Sequence, residues 1–539
     1  MLRTLLASFF AVTSLFAFAD EPLLRDIVDA EMQKGWSEQK LSPAVVSTDA
    51  EFLRRIYLDL TGVIPKFDEA TAFLDDPSAD KRAKLIEQLL ADPRFAKHQA
   101  DLWDVILFTR NPPGFDADKR EGIQRWLRKQ FEENKPYDEM VRALLKAEGN
   151  SIDEGPATYY VQYRNQPEDM NEAVSQTFLG VQLQCARCHD HPFETWKQVD
   201  FYGMAAFLSR VQIVSVGKKD NLTKYVVAEK NTGDILFTGS VKEQMVGKKG
   251  DPVKPKFLLG GPLEEPPLPE GYKEVKFEEN KEPAKPMFSR KDQLADWITR
   301  PENPYFAKAI ANRLWAQFLG RGIVHPIDNL SEANEPSHPK LLETLAQALI
   351  AKKFDLRWYI RELVSSRTYQ LSSRGEGGEP MPKYHEYARH RPLTAEELAD
   401  AWRVGTWYND TDQGKGKEGT GSRFHPLGRD YMLRYFGTPN TGAGDFQGGL
   451  QEHLFLNNGP LGSVINGGKG SLGDWLQTSK DGNEVKIERL FLSLLSRRPT
   501  AEEAERLTEF LQTDDKNKQP RWSEATWVLM TSSEFRFNH

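Results

Sequence analysis

Hydrophobic positions fall in a helical rhythm over most of the chain. Between residues 49 and 58, the apolar residues Phe52, Leu53, Ile56 and Tyr57 recur at three- and four-residue steps. The stretch TGVIP (61–65) then stops the pattern, with Gly62 as the cap and Pro65 just beyond it. The same periodicity predicts helices over 81–90, 94–108, 122–131, 137–145 and from 169 to about 181. It returns at 291–298, 304–319, 339–351, 356–364, 394–404, 485–495, 501–511 and 524–530.

Between about 211 and 288 the rhythm changes. Short β-prone runs at 225–228, 235–238 and 257–259 are separated by lysine- and glycine-containing turns, and prolines crowd the stretch that follows. This predicts a small β insertion and an extended linker. The expected architecture is therefore mainly α: a helical domain over 20–210, the insertion and linker over 211–288, and a second helical domain over 289–539. Glycine-rich stretches at 414–421 and 437–473 read as loops within that second domain, and no repeat period is visible.

The first 19 residues stand apart. Arg3 supplies a short positive start, residues 5–18 are apolar apart from Ser8, Thr13 and Ser14, and Ala17-Phe18-Ala19 has the small-x-small form of a cleavage site. The apolar run is short for a membrane span, which needs about 20 residues. The expectation is a signal peptide over 1–19 and a mature protein exported to the periplasm or cell surface, with no integral span once the signal is removed.

Composition narrows the function classes. The 539 residues are 39% hydrophobic and 28% charged, with 71 Lys plus Arg against 79 Asp plus Glu and a formal net charge of −8. That is ordinary globular material, and a mildly acidic chain without a long basic run argues against a nucleic-acid binder. Only two cysteines are present, so a disulfide-stapled scaffold is excluded.

Those two cysteines sit in Cys185-Ala186-Arg187-Cys188-His189. Two thiols three residues apart can each add to a haem vinyl group, and the histidine that follows can then ligate the iron. Covalent haem c on Cys185 and Cys188, with His189 as the proximal ligand, is the leading interpretation. Two others stand beside it: a structural or redox-active Cys185–Cys188 disulfide, and a metal site using Cys185, Cys188, His189 and His191. Zinc sites usually draw their ligands from two separated segments, which weighs against the last. His191 is too close in sequence to reach the opposite haem face, so His98 and Met204 are the distal ligand candidates. Each has a plainer role open to it, a satisfied histidine and a core methionine.

Other signals carry less. Residues 414–419 match G-x-G-x-x-G, but no predicted strand precedes them and no clear helix follows, so a flexible loop is expected there. His325, His338, His425 and His453 lack metal spacing to one another, and no carboxylate pair is marked for hydrolysis.

Longer stretches carry a family resemblance. RRIYLDLTGVIP (54–65) and VQLQCARCHDHPFETWKQVDFYGMAAF (181–207) resemble the planctomycete and verrucomicrobial cytochrome-like domain of unknown function. NRLWAQFLGRGIVHPIDN (312–329), PSHPKLLETLA (336–346), SSRTYQLSS (365–373) and SSEFRFNH (532–539) are similar to the domain that accompanies it. The resemblance implies an exported protein named for its haem-type motif, whose family has no established activity. The chain departs from it at 438–450, where TPNTGAGDFQGGL replaces a charged, cysteine-bearing segment.

The sequence thus points to an exported monohaem protein in electron transfer or redox chemistry, with an unidentified redox partner or exported protein as its counterpart. A non-catalytic binding protein with a structural disulfide and a thiol–disulfide oxidoreductase are the rivals. The first expectation is directly measurable. Mass spectrometry of the chain exported from its native type of host should find a mature N-terminus at Asp20, and an intact Met1 start in the exported fraction would refute it.

Overall fold

The helix Asp49–Thr61 forms where the periodicity places it. The Thr48 hydroxyl accepts the Glu51 N–H at 3.3 Å, and Gly62, at φ 70°, returns its own N–H to the Leu58 carbonyl at 3.0 Å. A Cβ on Gly62 would lie 2.3 Å from Nδ1 of His98, so both the left-handed backbone and the close approach demand glycine. The sequence pattern suggested one apolar stripe. Instead, every residue from Phe52 to Thr61 is buried, including Arg54, Arg55 and Asp59. Charges can occupy such a helix only if partners from elsewhere in the fold meet them.

Those partners come from the far end of the chain. Arg54 donates to the carbonyls of Leu494 at 3.1 Å and Phe535 at 2.6 Å, and burial pulls its guanidinium down to about 10 despite the nearby Glu534. Arg55 donates to the Tyr369 and Leu371 carbonyls, both at 2.8 Å, to the His539 carbonyl at 3.2 Å and to Glu51 at 2.8 Å. Asp59 accepts from the Tyr369 hydroxyl at 2.8 Å, the Asn538 amide at 2.7 Å and Arg391 at 3.1 Å. Burial holds the Asp59 carboxyl above its usual range even though Arg391 opposes that shift.

The computed structural model describes residues 22–110, 120–152, 154–219, 222–237, 250–274, 276, 284–375, 381–408, 429–437, 450–459, 461–512 and 521–539. The expected signal peptide, the 414–419 glycine pattern, His425 and nearly all of the divergent 438–450 segment lie outside these residues.

Among the described residues the fold is mainly α with small sheets. Buried apolar side chains gather in two clusters. The larger draws on residues from Leu24 to Leu371 together with Leu492; the smaller joins Leu58 and Ile64 to residues between Leu393 and Phe535. The helix Asp49–Thr61 thus feeds both. One helix unmarked by the sequence pattern, Leu24–Gln39, buries only Leu24, Val28, Met32 and Trp36, a stripe one residue wide at four-residue steps.

Three short sheets complete the fold. Gly149–Asn150, Leu222–Glu229 and Val211–Lys219 form an antiparallel sheet in the order first, third, second along the chain, with Ile213 opposite Val227. Ile235–Leu236 pairs with Pro252–Val253, and Arg391–Pro392 pairs with Phe537–Asn538. The third β-prone run, 257–259, is a turn and not a strand. Gly260 N–H returns to the Phe257 carbonyl at 2.9 Å, Leu259 has φ 63°, and Leu258 is buried as an anchor. The glycine-rich 437–473 stretch also differs from expectation. It contains the helices Leu450–Asn458 and Leu461–Asn466, because Phe455, Leu461, Val464 and Ile465 bury into the smaller cluster.

A pair of buried histidines lies under the helix Leu24–Gln39. His385 accepts the Trp315 indole N–H at 3.1 Å, and His338 sits edge-on to Tyr384 with its ring against Gly35. Burial pushes His385 down to about 3, with charge on His338 adding to the effect, and burial also lowers His338.

Two outcomes follow from these contacts. Asp59→Ala leaves two buried donors, the Tyr369 hydroxyl and the Asn538 amide, without their acceptor, while Arg391 keeps Glu397, and should destabilise the protein by about 2 kcal/mol or more, read as a lower urea midpoint at unchanged slope. An unshifted midpoint would show that the interlock is dispensable. The second outcome concerns acid. A histidine held neutral binds fewer protons folded than unfolded, so the stability it preserves is complete above its ordinary pKa of about 6.5 and is lost as pH falls toward 3. Between pH 6.5 and 5 the urea midpoint should decline, and His385→Asn should reduce that decline; equal slopes in the two proteins would contradict it.

Candidate functional site

The chain enters the cysteine motif through a helix that changes pitch. Pro167–Val174 is α-helical, Ser175–Leu179 widens into a π-turn, and Gly180 at φ 65° ends it. Such widened turns occur frequently at functional sites. The expected helix from 169 to about 181 therefore exists as an α-helical stretch whose last turn is widened. A single 3₁₀ turn, Gln184–Arg187, then presents Cys185, and Cys188 is its cap. Ala186 between them is buried and fixes the turn, while both thiols are free and exposed.

The next ten residues close on themselves. Gln198, buried at the start of the helix Gln198–Ala205, donates its side-chain amide to the Arg187 carbonyl at 2.8 Å and its backbone N–H to the Asp190 carboxylate at 3.0 Å. The His191 N–H donates to the Trp196 carbonyl at 2.8 Å. Arg187 itself is held by Asp169 at 2.9 Å and Glu172 at 3.2 Å, which ties the motif back to the preceding helix.

The two motif histidines are given opposite proton placements by this loop. Nδ1 of His189 lies 2.7 Å from the Asp190 carbonyl oxygen. A carbonyl can only accept, so in the neutral ring Nδ1 carries the proton and Nε2 keeps its lone pair. The His189 ring is exposed, and this is the arrangement in which histidines ligate metals, with the second ring nitrogen donating to a carbonyl. His191 is the reverse. Its Nδ1 accepts the backbone N–H groups of Phe193 at 3.3 Å and Glu194 at 3.0 Å, so in the neutral ring the proton sits on Nε2. His191 is thereby a turn-capping residue and a donor, not a free lone pair.

Beside this turn lies a cavity of about 420 Å³, within the usual range of about 300–1,000 Å³ for small-molecule sites. Residues 181–196 contribute Cys185, His191, Phe193 and Trp196 to its lining and residues 326–334 contribute Pro326, Leu330 and Asn334, whereas Cys188 and His189 do not line it. Phe193 at the rim is 82% exposed. Behind the cavity, Trp196 meets Tyr305 edge-on at 6.3 Å, and the Tyr305 phenol is pushed up by burial and by the charges of Glu332 and Glu194.

The structure thus brings Cys185, Cys188, His189 and His191 into one turn, with Cys185 and His191 on the cavity wall. The two distal candidates sit elsewhere. His98 is buried against Gly62 with Nε2 4.0 Å from Glu397, and burial lowers its imidazole pKa although Glu397 opposes that. Met204 is fully buried on the helix Gln198–Ala205, in the larger core. Neither lines the cavity. His325 precedes the lining residue Pro326 but does not itself line the cavity, and neither do His338 and His453. Among the described residues, no group of three or more His, Cys, Asp or Glu side chains is arranged to hold a metal ion, and no helix is long and apolar enough to cross a membrane.

Sequence reasoning missed the second wall. Pro326, Leu330 and Asn334 are separated from Cys185 by more than a hundred residues, and nothing local to either segment announces the meeting.

Residues 27–213 match the family model PSCyt2, a protein of unknown function (DUF1549), and residues 290–418 match PSD1, a protein of unknown function (DUF1553). No curated protein and no solved structure matches the chain. The two matched regions each contribute residues to the lining of the cavity.

Proposed function

We propose that this chain, of which residues 27–213 and 290–418 match two families of unknown function, is an exported c-type haem protein acting in electron transfer or redox chemistry. Cys185 and Cys188 would carry the thioethers, and His189 would be the proximal iron ligand. A covalently held haem would supply one-electron chemistry; the chain's own residues attach it, orient its ligand and shape its surroundings.

The observation that carries this proposal is the hydrogen bond from His189 Nδ1 to the Asp190 carbonyl. In the neutral ring it leaves the lone pair on Nε2 of an exposed imidazole, immediately after two free and exposed thiols on one short turn. A structural disulfide needs no such histidine. A zinc site using His191 would have to recover a lone pair that the Phe193 and Glu194 amides already occupy. The loop closure at Gln198 supports the same proposal, because a ligand histidine is useful only if its backbone is held.

The test is a haem stain on a denaturing gel, with the chain expressed behind its own N-terminal segment in a host that carries c-type maturation machinery. The wild-type band should stain after denaturation, and the Cys185→Ala/Cys188→Ala variant should not. A folded, exported and unstained wild-type protein would overturn the proposal and favour the disulfide-bearing alternatives.

A further inference from the structure

Of the motif residues Cys185, Cys188 and His189, only Cys185 lines the cavity beside the turn. The rest of the lining mixes aromatic and aliphatic surface with short polar side chains, and that mixture selects a ligand. Its two segments, 181–196 and 326–334, are tied together before anything binds. The Leu330 N–H donates to the Gly180 carbonyl at 2.7 Å, and the Glu332 N–H donates to the Glu194 carboxylate at 3.3 Å. Within the second segment, the Asn334 side-chain amide donates to the Asn329 carbonyl at 2.9 Å and closes the loop that carries Ser331. A cavity shaped in advance lowers the ordering cost of binding.

The polar groups are of both kinds. In the neutral ring His191 keeps its proton on Nε2 and donates. An ionised Glu194 only accepts, and its bond to Glu332 engages one of its two oxygens. The side-chain amides of Gln182 and Asn329 and the Ser331 hydroxyl can do both, and among the described residues none of these three groups has a protein partner. No lysine or arginine is among the described lining residues. A phosphate, sulfate or carboxylate would therefore face Glu194 with no opposite charge to hold it. An ammonium group would leave the His191 donor unmatched. Hydroxyls, which donate and accept at one atom, match every member of the set.

The apolar part of the lining agrees with this. Trp196 is buried and Phe193 is 82% exposed at the rim. Aromatic faces carry negative potential that attracts weakly positive C–H groups, and a sugar ring presents such groups on its face and hydroxyls around its edge. The lining residues come from turns and loops with no strand among them, so no sheet edge is offered to an extended peptide. Glu194 is the one carboxylate in the described lining, whereas cleavage of a glycosidic bond ordinarily uses two. The arrangement suits binding and not hydrolysis.

We infer that this cavity is a binding site for a neutral sugar, with about 420 Å³ available for a mono- or disaccharide. Both family-matched regions build it, through Phe193 and Glu194 on one side and Asn329 and Ser331 on the other. The inference does not rest on the haem proposal, since it uses neither thiol and not His189.

The experiment uses the full chain produced without c-type maturation machinery, titrated calorimetrically with glucose, galactose, mannose, cellobiose and lactose. Glucuronate and galacturonate serve as anionic counterparts, and acetyl-dialanine amide as a peptide control. At least one neutral sugar should bind at a single site, more tightly than either uronate or the peptide. Phe193→Ala, which truncates an exposed side chain, should weaken that binding about tenfold. Ala333→Trp places an indole in the cavity from an exposed position and should also weaken it, with circular dichroism and melting unchanged. No binding of any neutral sugar, tighter binding of a uronate or the peptide, or an affinity that both folded variants leave unaltered would overturn the inference. The haem stain is read separately. An unstained chain that binds sugar through Phe193 loses only the haem proposal, and a stained chain that binds no sugar loses only the sugar site.

Discussion

The fold depends on burying charge in one helix. Arg54, Arg55 and Asp59 lie inside Asp49–Thr61, where the chain is enclosed on all sides, and a charge in such a place is tolerable only with well-aimed partners. The partners are backbone carbonyls at 369, 371, 494, 535 and 539, the Tyr369 hydroxyl, the Asn538 amide and Arg391. These are late segments of the chain recruited by an early helix. An apolar helix could pack in several registers with similar energy, whereas a buried arginine that must find two particular carbonyls can accept few. The interlock therefore selects one arrangement of the early and late segments, and it does so by the penalty attached to every other arrangement.

That selection matters at the cysteine turn, which the interlock does not touch. The cavity exists only because residues 181–196 and 326–334 come to the same place. The ties across it are few and partly single hydrogen bonds, at Leu330 and Glu332, together with the Arg313–Asp328 pair. Contacts this sparse cannot organise two long segments from a disordered start, given the chain entropy that must be lost. They can adjust the fit of segments already brought together. Apolar packing of the larger cluster and the buried ionic interlock supply that approach, and the local ties then set the spacing of the walls.

Much of the fold was legible in the sequence because most helices present a stripe to one neighbour. Tyr137–Leu145 was predicted at its observed bounds, and Pro339–Ala351 likewise. Legibility failed where the local pattern and the tertiary environment differ. Leu24–Gln39 has too narrow a stripe to stand out, residues 257–259 look like a strand but anchor a turn, and the glycines of 437–473 hide two helices whose apolar residues bury between them. At the site, the motif Cys185–His189 was fully visible as residue types at a fixed spacing, and the structure places it on one short turn. The opposite wall was invisible, as was the distance of His98 and Met204 from the cavity, because both depend on which distant segments pack together.

The division of roles between His189 and His191 shows what structure adds to a motif. In sequence they are two equivalent histidines flanking an aspartate. In the fold, one donates through Nδ1 and the other accepts through Nδ1, and the difference arises entirely from backbone groups in a loop closed by Gln198. A neutral imidazole has one donor and one acceptor, so committing one nitrogen decides the other. Metal ligation requires a lone pair, and hydrogen bonding to a ligand's acceptor atom requires a proton. In the neutral rings the loop leaves the lone pair of His189 on Nε2 and the proton of His191 on Nε2. Two residues of the same type, one position apart, thus become non-interchangeable.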